Sequence, residues 1–331
     1  MGEEDVTACA DLLVEASLRG VESHGVFALL PVFAEQAQHG VGRSGSSPSI
    51  VSERGAVAVV DGGGASGPRT ARVALETACK LAQSNGAGVI AVRRCGYLGA
   101  LGWSVLPAAE QGLIALAAVN AMAFVAPAGG REPLHGTNPL AIAIPHEPNP
   151  IVHDMRTNAF ALADYWHSLA TGEPLPDGVL IRADGTTLTD VEELERGGWE
   201  AAVSLPLAGA RGYGLALALD VLTAALAGMP IGREVAWETE RDALGAFFLV
   251  LDPAAFGARE QFVGAVRRLA QQVRDTAALD PNDPVRLPGE RAAMERRRRL
   301  EDGIPFTASQ REQLEERLAA LGLSARATPP S

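Results

Sequence analysis

The chain of 331 residues has only three cysteines, Cys9, Cys79 and Cys95, and they lie far apart. It contains no CxxC pair, no HxxxH spacing and no apolar run of about 18 residues. The sequence therefore predicts no disulfide framework, no metal site and no membrane-spanning helix. The N-terminus is acidic and does not resemble a signal peptide. We expect a cytoplasmic protein without a metal or a membrane partner.

Positive charge is also scarce. Lys80 is the only lysine, and the formal net charge is −12. A protein that binds nucleic acid needs a basic face to neutralise phosphates, so this charge argues against a nucleic-acid partner. The one basic run, residues 296–299, is followed by Glu301 and Asp302, and this pattern predicts a solvated helix face.

Two common enzyme signatures are absent or incomplete. No serine lies in a GxSxG motif, which argues against an α/β-hydrolase. The segment GGGASG, residues 62–67, has the GxGxxG spacing, but no acidic residue ends a second predicted strand about 20 residues on, so a Rossmann unit is only weakly indicated. The glycine-rich loop 61–67 lies between a predicted strand and a predicted helix, a context that suits phosphate binding or a plain turn.

Apolar periodicity predicts helical ends and a mixed middle. Helical spacing predicts helices over 5–18, 68–85, 261–274 and 309–321. Short apolar runs predict strands over 56–60, 89–92, 113–120, 141–144 and 246–251. The near-continuous apolar segment 215–226 predicts a buried helix. A chain of this length has room for about two domains and a sizeable core.

The segment RGVESHG, residues 19–25, places a hydroxyl directly before an imidazole. His24 is suited to proton transfer near neutral pH, whereas the alternative is that Ser23 caps a helix and His24 is a first-turn residue. In loop 126–139, Thr137 and Asn138 could bind a polar substrate or only satisfy the backbone of the loop. The cationic loop 286–291 could hold a pyrophosphate or be a surface turn.

Five sequence blocks, in order, resemble the malate/L-lactate dehydrogenase family of the second type. The blocks are RGVESHGV, APAGGREPLHGTNPLAIAIP, HDMRTNAFALAD, LAGARGYGLALALDVL, and VRLPGER with the following EDGI. The resemblance implies an α+β fold, in which a non-Rossmann dinucleotide-binding α/β domain with a mostly antiparallel sheet joins a helical domain from both chain ends. It implies the divisions 1–50, 51–255 and 256–331, with the first and last parts packed together, and a homodimer.

The resemblance also implies NAD(P)-dependent reduction of a ketone or cyclic imine, a small-molecule substrate, with NADPH or NADH as cofactor. His24 would donate the proton, and Ser23 and Asp164 would support it. The implied substrate-binding residues are Ala28, Thr137, Leu162 and Ala163. The implied cofactor-binding residues are Tyr97, Leu98, Gly99, Asp154, Met155, Arg156, Arg211, Pro288, Gly289 and Arg291.

Departures from the family pattern bear on the substrate. Family members usually have an arginine four residues after the SHG histidine that binds the substrate carboxylate, and this chain has Ala28. Tyr97 stands where many members have a histidine. We therefore expect an oxidoreductase that reduces a ketone or imine other than a simple 2-oxo acid. Two alternatives stay open. One is a conventional 2-hydroxy-acid dehydrogenase whose carboxylate clamp has moved to Arg156, and the other is a member that has lost hydride transfer.

Overall fold

A seven-stranded sheet forms the centre of the protein, whose computed structural model describes residues 1–236, 243–320 and 322–323. The order of its strands is β1-β2-β3-β9-β4-β5-β6, and β7 and β8 form a separate pair. The strands are β1 (Ser49–Arg54), β2 (Val57–Asp61), β3 (Ala87–Cys95), β4 (Ile114–Val119), β5 (Leu140–Ile144), β6 (Ile151–Met155), β7 (Leu180–Ile181), β8 (Val203–Ser204) and β9 (Leu244–Leu251). Among these described strands only β2 and β3 pair in parallel. The predicted α+β class with a mostly antiparallel sheet is confirmed.

Helices lie towards both ends of the described chain and between the strands. They are α1 (Glu3–Leu18), α2 (Val26–Gln38), α3 (Gly67–Asn85), α4 (Leu106–Glu110), α5 (Leu162–Thr171), α6 (Val191–Gly197), α7 (Ala210–Asp220), α8 (Arg259–Arg274), α9 (Glu290–Asp302) and α10 (Ala308–Ala320). The four helices predicted from periodicity are confirmed as α1, α3, α8 and α10. Within the described ranges no helix is long and apolar enough to cross a membrane, and no three metal-binding side chains cluster.

The sheet core is built around the central strands. Ile90 of β3 and Phe248 of β9 are fully buried, and α3 packs on both strands. The helix approaches closely because Gly88 has no side chain, and a Cβ there would lie 2.0 Å from the carbonyl oxygen of Ala78. Burying a side chain such as Phe248 stabilises the fold by about 2 kcal/mol. This packing fixes β3, from whose end a predicted cofactor-binding loop begins.

The two ends of the chain pack together through α1 and α9. Arg299 of α9 is only 9% exposed, donates to the carbonyl oxygen of Ser17 at 2.6 Å and forms an ion pair with Glu22. The prediction that the basic run is a solvated helix face is therefore wrong at Arg299. A buried guanidinium needs such partners because an unpaired charge in the interior is costly.

The apolar segment that contains α7 is less buried than its sequence predicts. It continues past α7 as a π-helical turn over Val221–Ala225. The exposed fractions are 45% for Leu217, 53% for Val221, 38% for Leu222 and 59% for Leu226. The prediction of a buried helix is therefore wrong for the single chain. Its sequence is apolar on both faces, and the rest of the chain covers only one of them.

Candidate active site

Ser23 and His24 lie in a short 3₁₀ turn, Glu22–His24, that joins α1 to α2. Oγ of Ser23 lies 2.9 Å from Nδ1 of His24, which is hydrogen-bond distance. Since α2 begins at Val26 without a side-chain cap, the alternative role of Ser23 as a helix cap is not observed. The hydroxyl instead holds one ring nitrogen of His24 and leaves Nε2 as the nitrogen available for proton exchange.

Two glycines shape this turn. Gly20 follows α1 with φ +72°, a left-handed conformation that ends a helix. Gly25 packs so closely on α1 that a Cβ would lie 2.3 Å from Oγ of Ser17. The same Oγ accepts the N–H of Val26 at 2.9 Å and so holds the start of α2. The glycines of the RGVESHG block therefore place His24 between two helices.

His24 is partly buried, and burial lowers its pKa from 6.5 to about 4. In the described part of the chain no carboxylate bonds to the ring, so nothing compensates for the lost hydration of the charged form. At neutral pH the imidazole is therefore neutral and can accept a proton from an alcohol. To donate a proton the ring must first become protonated. Negative charge on a bound ligand, or negative charge that develops on it during the reaction, would favour this protonated form.

Asp164, the third predicted catalytic residue, lies in the first turn of α5. Within the described ranges it forms no hydrogen bond or ion pair with His24, and its electrostatic partner is Arg156. Burial lowers the pKa of Arg156, and the charge of Asp164 raises it. Arg156 also donates from Nε to the carbonyl oxygen of Phe160 at 2.7 Å and from Nη2 to that of Ala159 at 3.3 Å. The structure thus brings Ser23 and His24 together, and it places Asp164 beside Arg156.

Ala28 and Tyr97 pack on one apolar cluster, which α1 and α2 form. The cluster includes Leu12 and Phe33, and the ring of Tyr97 lies 6.2 Å from that of Phe33 between centroids. Ala28 lies in the first turn of α2, four residues after His24. The position at which the resemblance implies a carboxylate-binding arginine therefore has an apolar side chain on an apolar core.

Thr137 lies in a loop that a buried polar network holds in place. Asn138, with φ +35°, donates from Nδ2 to one carboxylate oxygen of Asp220 at 2.8 Å. The other oxygen of Asp220 lies 2.5 Å from Nδ1 of His135. The carbonyl oxygen of Thr137 accepts both the N–H and the hydroxyl of Thr157 at 2.9 Å. Asn138 therefore forms hydrogen bonds with buried polar groups of the fold. Of the two roles that the sequence left open for it, substrate binding and a structural role, the structure shows the structural one.

His135 and Asp220 are residues of this loop network that the sequence analysis missed. They are 4% and 7% exposed, and Nε2 of His135 has no hydrogen-bond partner among the described residues. The available signal was one acidic residue inside the apolar segment 215–226, because a buried carboxylate must have a partner. The partner itself is 85 positions away in sequence and is revealed only by the fold.

The predicted substrate-binding residues at the start of α5 belong to a helix that lies next to the turn that carries His24. Leu162 and Trp166 are each 38% exposed on this helix. The ring of Trp166 meets that of Phe27 edge-on at 6.5 Å between centroids. Because Phe27 follows His24 by three residues, the contact places α5 beside the candidate catalytic histidine. The side chain of Ala163 lies outside the described part of the structure, so its role stays a prediction.

The first predicted cofactor-binding segment, Tyr97, Leu98 and Gly99, is the loop after β3. Gly99 has φ +67°, and a Cβ there would lie 2.4 Å from Cδ2 of Leu12, so the loop is pressed against α1. Farther along, the N–H of Gly102 donates to Oδ2 of Asp154 at 2.6 Å. Desolvation of this carboxylate by the surrounding protein raises the pKa of Asp154. The loop is thereby tied to the end of β6, where Met155 is the last residue.

Two further predicted segments reach β6. The N–H of Val152 donates to the carbonyl oxygen of Pro288 at 3.1 Å, and a Cβ on Gly289 would lie 2.9 Å from the carbonyl oxygen of Val152. Arg211 lies beside Thr157, because a Cβ on the following glycine would lie 2.7 Å from the carbonyl oxygen of Thr157. The structure therefore brings the predicted cofactor segments together around one strand.

The residues around β6 fit a nicotinamide dinucleotide. Arg211 and Arg291 are exposed, and neither forms an ion pair with a described carboxylate. Arg291 lines a cleft of about 950 Å³, in which Arg286 is already paired with Asp283 and Arg19 with Glu15. An unpaired guanidinium suits a pyrophosphate because its planar fork donates two hydrogen bonds to phosphate oxygens. The donor set thus matches the charge of a dinucleotide.

Comparison with known proteins gives the class and the family. A family model described as malate/L-lactate dehydrogenase matches residues 1–315. Together with the fold, this match defines an NAD(P)-dependent dehydrogenase or reductase. The chain belongs to the malate/L-lactate dehydrogenase family.

Named relatives differ in substrate. The malate dehydrogenase of Pyrococcus horikoshii is 31% identical over 329 residues, which cover 97% of this chain and 90% of the relative. A Delta(1)-pyrroline-2-carboxylate/Delta(1)-piperideine-2-carboxylate reductase of Pseudomonas putida is 33% identical over 304 residues, covering 90% and 86%. The solved structure of sulfolactate dehydrogenase from Methanocaldococcus jannaschii matches with a TM-score of 0.86 at 30% identity, covering 98% of this chain and 92% of that one. Membership of the family therefore leaves the substrate to be argued from the site.

Proposed function

We propose that this protein is an NAD(P)H-dependent reductase of a ketone or an imine other than a simple 2-oxo acid. The observation that carries the proposal is a hydrogen-bonded Ser23–His24 pair followed, four residues later, by Ala28. The pair retains the means to transfer a proton, while the substrate contact that a 2-oxo acid needs is replaced. The nicotinamide cofactor supplies the hydride when it is bound.

His24 transfers the proton at the oxygen or nitrogen of the substrate. Because Ser23 holds Nδ1, Nε2 is the atom that donates to the developing alkoxide or amine. Negative charge that develops next to a partly desolvated ring favours its protonated form strongly, since the local dielectric constant is low. In this proposal Asp164 stabilises the imidazolium, a role that requires it to approach the ring once ligands are bound.

The apolar surroundings of Ala28 set the substrate preference. An arginine that meets a carboxylate with two hydrogen bonds is a strong contact, and alanine offers no replacement. A carboxylate left unpaired in a partly dry pocket would cost several kcal/mol, enough to make a simple 2-oxo acid bind poorly. Alanine also vacates volume beside Tyr97, so the proposed substrate is bulkier at this position.

The conventional 2-hydroxy-acid dehydrogenase is the alternative within the same class. It requires Arg156 to serve as the carboxylate clamp. The bonds of Arg156 to the carbonyl oxygens of Phe160 and Ala159 argue against this, because they hold the guanidinium against its own turn. The alternative without hydride transfer is disfavoured by the exposed cations Arg211 and Arg291, which suit a dinucleotide.

We also propose that the dinucleotide binds without a Rossmann motif, along the loops after β3 and β6 and the start of α9. The lack of an acidic residue at the end of β3, where a Rossmann unit would bind the ribose, and the single parallel pair in the described sheet support this proposal. Arg211 and Arg291 would hold the phosphates, and Asp154 would lie beside them. The choice between NADH and NADPH is left to titration.

A homodimer is proposed from the exposed apolar face of α7. Leu217, Val221, Leu222 and Leu226 form a patch whose burial by a second copy would remove it from water. The divisions 1–50, 51–255 and 256–331 also stay a proposal, supported by the packing of α1 on α9. A cytoplasmic location stays a prediction of the sequence.

Titration with NADH and with NADPH, followed by nicotinamide fluorescence, tests the function. We expect saturable binding of at least one cofactor, and with that cofactor slow turnover of pyruvate, oxaloacetate and piperideine-2-carboxylate. Efficient turnover of any of these acids would favour the conventional dehydrogenase. If neither cofactor binds, only the alternative without hydride transfer is left.

A further inference from the structure

We infer that Arg317 of α10 binds a carboxylate of the substrate that lies away from the reacting carbon. The inference rests on the proposed function and narrows its substrate class to ketones or imines with a remote carboxylate. It identifies a specificity-determining residue that none of the sequence blocks contains.

Arg317 lies next to the segment that follows the candidate catalytic histidine. Its guanidinium carbon is 5.3 Å from the centroid of the Phe27 ring. Phe27 immediately precedes Ala28 and follows His24 by three residues. The next residue on α10, Leu318, is buried at 6% exposure, and α10 packs on α2. The cation is therefore held beside the position from which the family's arginine is missing.

The same guanidinium also reaches α5, the helix with the predicted substrate residues. Trp166 of α5 contacts the ring of Phe27, on which Arg317 lies. The neighbouring Tyr165 interacts electrostatically with Arg317, and its hydroxyl donates to Glu195. Arg317 thus lies where α2 and α5 meet, with aromatic rings from both helices around it.

The described part of the chain offers Arg317 no neutralising partner. Among the described residues no carboxylate forms an ion pair or a hydrogen bond with it, and Glu195 is engaged by Tyr165. By contrast, Arg296 pairs with Glu15 at 2.8 Å. A guanidinium stacked on an aromatic ring keeps its N–H groups in its own plane, where they can bind a carboxylate with two hydrogen bonds. A partly buried cation without an ion-pair partner among the described residues, close to the turn that carries His24, is suited to an anionic ligand.

The position of this cation defines the length of the substrate. With Ala28 in place of arginine, a carboxylate directly on the reacting carbon has no partner at its usual position. Arg317 offers a partner over the Phe27 ring, away from the position of Ala28 on α2 in sequence. The substrate that satisfies both conditions carries its carboxylate some carbon atoms away from the ketone or imine. Such an acid is longer than pyruvate.

The test compares ketones that differ only in charge, with the preferred cofactor: levulinate against its methyl ester, and pyruvate against methyl pyruvate. For the wild type we expect kcat/KM for levulinate to exceed that for its ester by about 10- to 100-fold, the worth of a charged hydrogen-bonded contact. No such preference is expected for pyruvate. Arg317→Met keeps the aliphatic cover on Phe27 and should abolish the preference through KM, with kcat little changed. Arg317→Lys should restore part of it.

Arg311→Met is the matched control, since Arg311 is exposed on the same helix and should leave the acid-to-ester ratio unchanged. An unchanged ratio in Arg317→Met would overturn the inference and leave the reductase intact. If the wild type reduces none of these ketones, the ketone part of the proposed function fails, and Arg317 is tested by levulinate binding to the cofactor-free protein, followed by tryptophan fluorescence. Equal affinity of the wild type and Arg317→Met would then overturn the inference, and at least tenfold weaker binding by the variant would support it.

Discussion

Oγ of Ser23 lies 2.9 Å from Nδ1 of His24, and this contact leaves Nε2 as the ring nitrogen available to another partner. An unrestrained imidazole can present either nitrogen, so the hydroxyl removes one source of unproductive geometry. The pair lies on a turn whose two flanking helices are both anchored in the helical part of the fold. Its geometry therefore depends on the packing of α1 and α2 and can be tested separately from the cofactor site.

Replacing His24 by alanine should lower kcat by about 10²- to 10⁴-fold, the usual contribution of general acid–base catalysis. Cofactor affinity, measured by nicotinamide fluorescence, should stay nearly unchanged because His24 does not belong to the residues around β6. Ser23→Ala should have a smaller effect, since it frees the ring without removing it. Near-native turnover in His24→Ala would move proton transfer elsewhere, with Tyr97 as the next candidate.

The pH dependence of stability should reveal the buried imidazole. Since the pKa of His24 falls from 6.5 to about 4 on folding, the unfolded chain binds this proton first. The stability that neutral His24 contributes is fully present above pH 6.5 and is lost as the pH falls toward 4. Urea unfolding across this window should show a smaller pH-dependent loss in His24→Gln than in the wild type. The exposed His39 provides the control, and His39→Gln should behave like the wild type.

Ala28→Arg should restore binding of simple 2-oxo acids. A guanidinium at this position would meet the carboxylate next to the reacting carbon, so KM for pyruvate or oxaloacetate should fall by about tenfold or more. Steady-state assays with the preferred cofactor measure the change, and Ala28→Met is the control for added volume without charge. If both variants behave alike, the missing arginine does not set the substrate preference.

The exposed face of α7 should form the dimer interface. A carboxylate at its centre would be buried without a partner on association, so Val221→Asp should sediment as a monomer at micromolar concentration. Leu279→Asp changes another exposed apolar residue, in a loop, and should leave the dimer intact. A wild type that is monomeric and fully active would contradict the proposed homodimer.

Removing the carboxylate of Asp220 should destabilise the fold by about 2–4 kcal/mol, because Asn138 and His135 lose a buried partner. Urea unfolding of Asp220→Ala measures the change. Asp177→Ala, in an exposed loop, should cost less than about 0.5 kcal/mol. Equal stability of the two variants would show that the network does not hold the loop.

The sequence predicts those helices and strands in which the pattern of apolar residues reflects the burial of one face of the element. β4 is apolar along its whole length and packs against the core. Its prediction over 113–120 is confirmed, and the observed strand is one residue shorter at each end. β1 was missed because all of its residues are exposed, so it has no alternation of apolar and polar side chains. β1 is a strand only because it pairs with β2 at the edge of the sheet. This pairing depends on the three-dimensional fold and leaves no pattern in the local sequence.

In the candidate site, contacts between neighbouring residues can likewise be predicted from the sequence, whereas contacts between distant residues cannot. Ser23 and His24 are adjacent in sequence, so a motif can carry their relationship. Asp220 and His135, or Arg317 and Phe27, meet only because distant helices pack, and no local pattern encodes their contact. For Asp164 the sequence predicts a contact that the single chain does not form. The resemblance pairs this residue with His24, whereas the structure places it beside Arg156.

The buried guanidinium of Arg299 has a consequence for the order of folding. It bonds to the carbonyl oxygen of Ser17, 282 positions earlier in the chain, and to Glu22 in the turn that carries His24. During synthesis the first helices therefore leave the ribosome long before their partner exists. The turn that carries His24 can be completed only after α9 has been made, so a nascent chain that stops short of α9 should have no competent histidine.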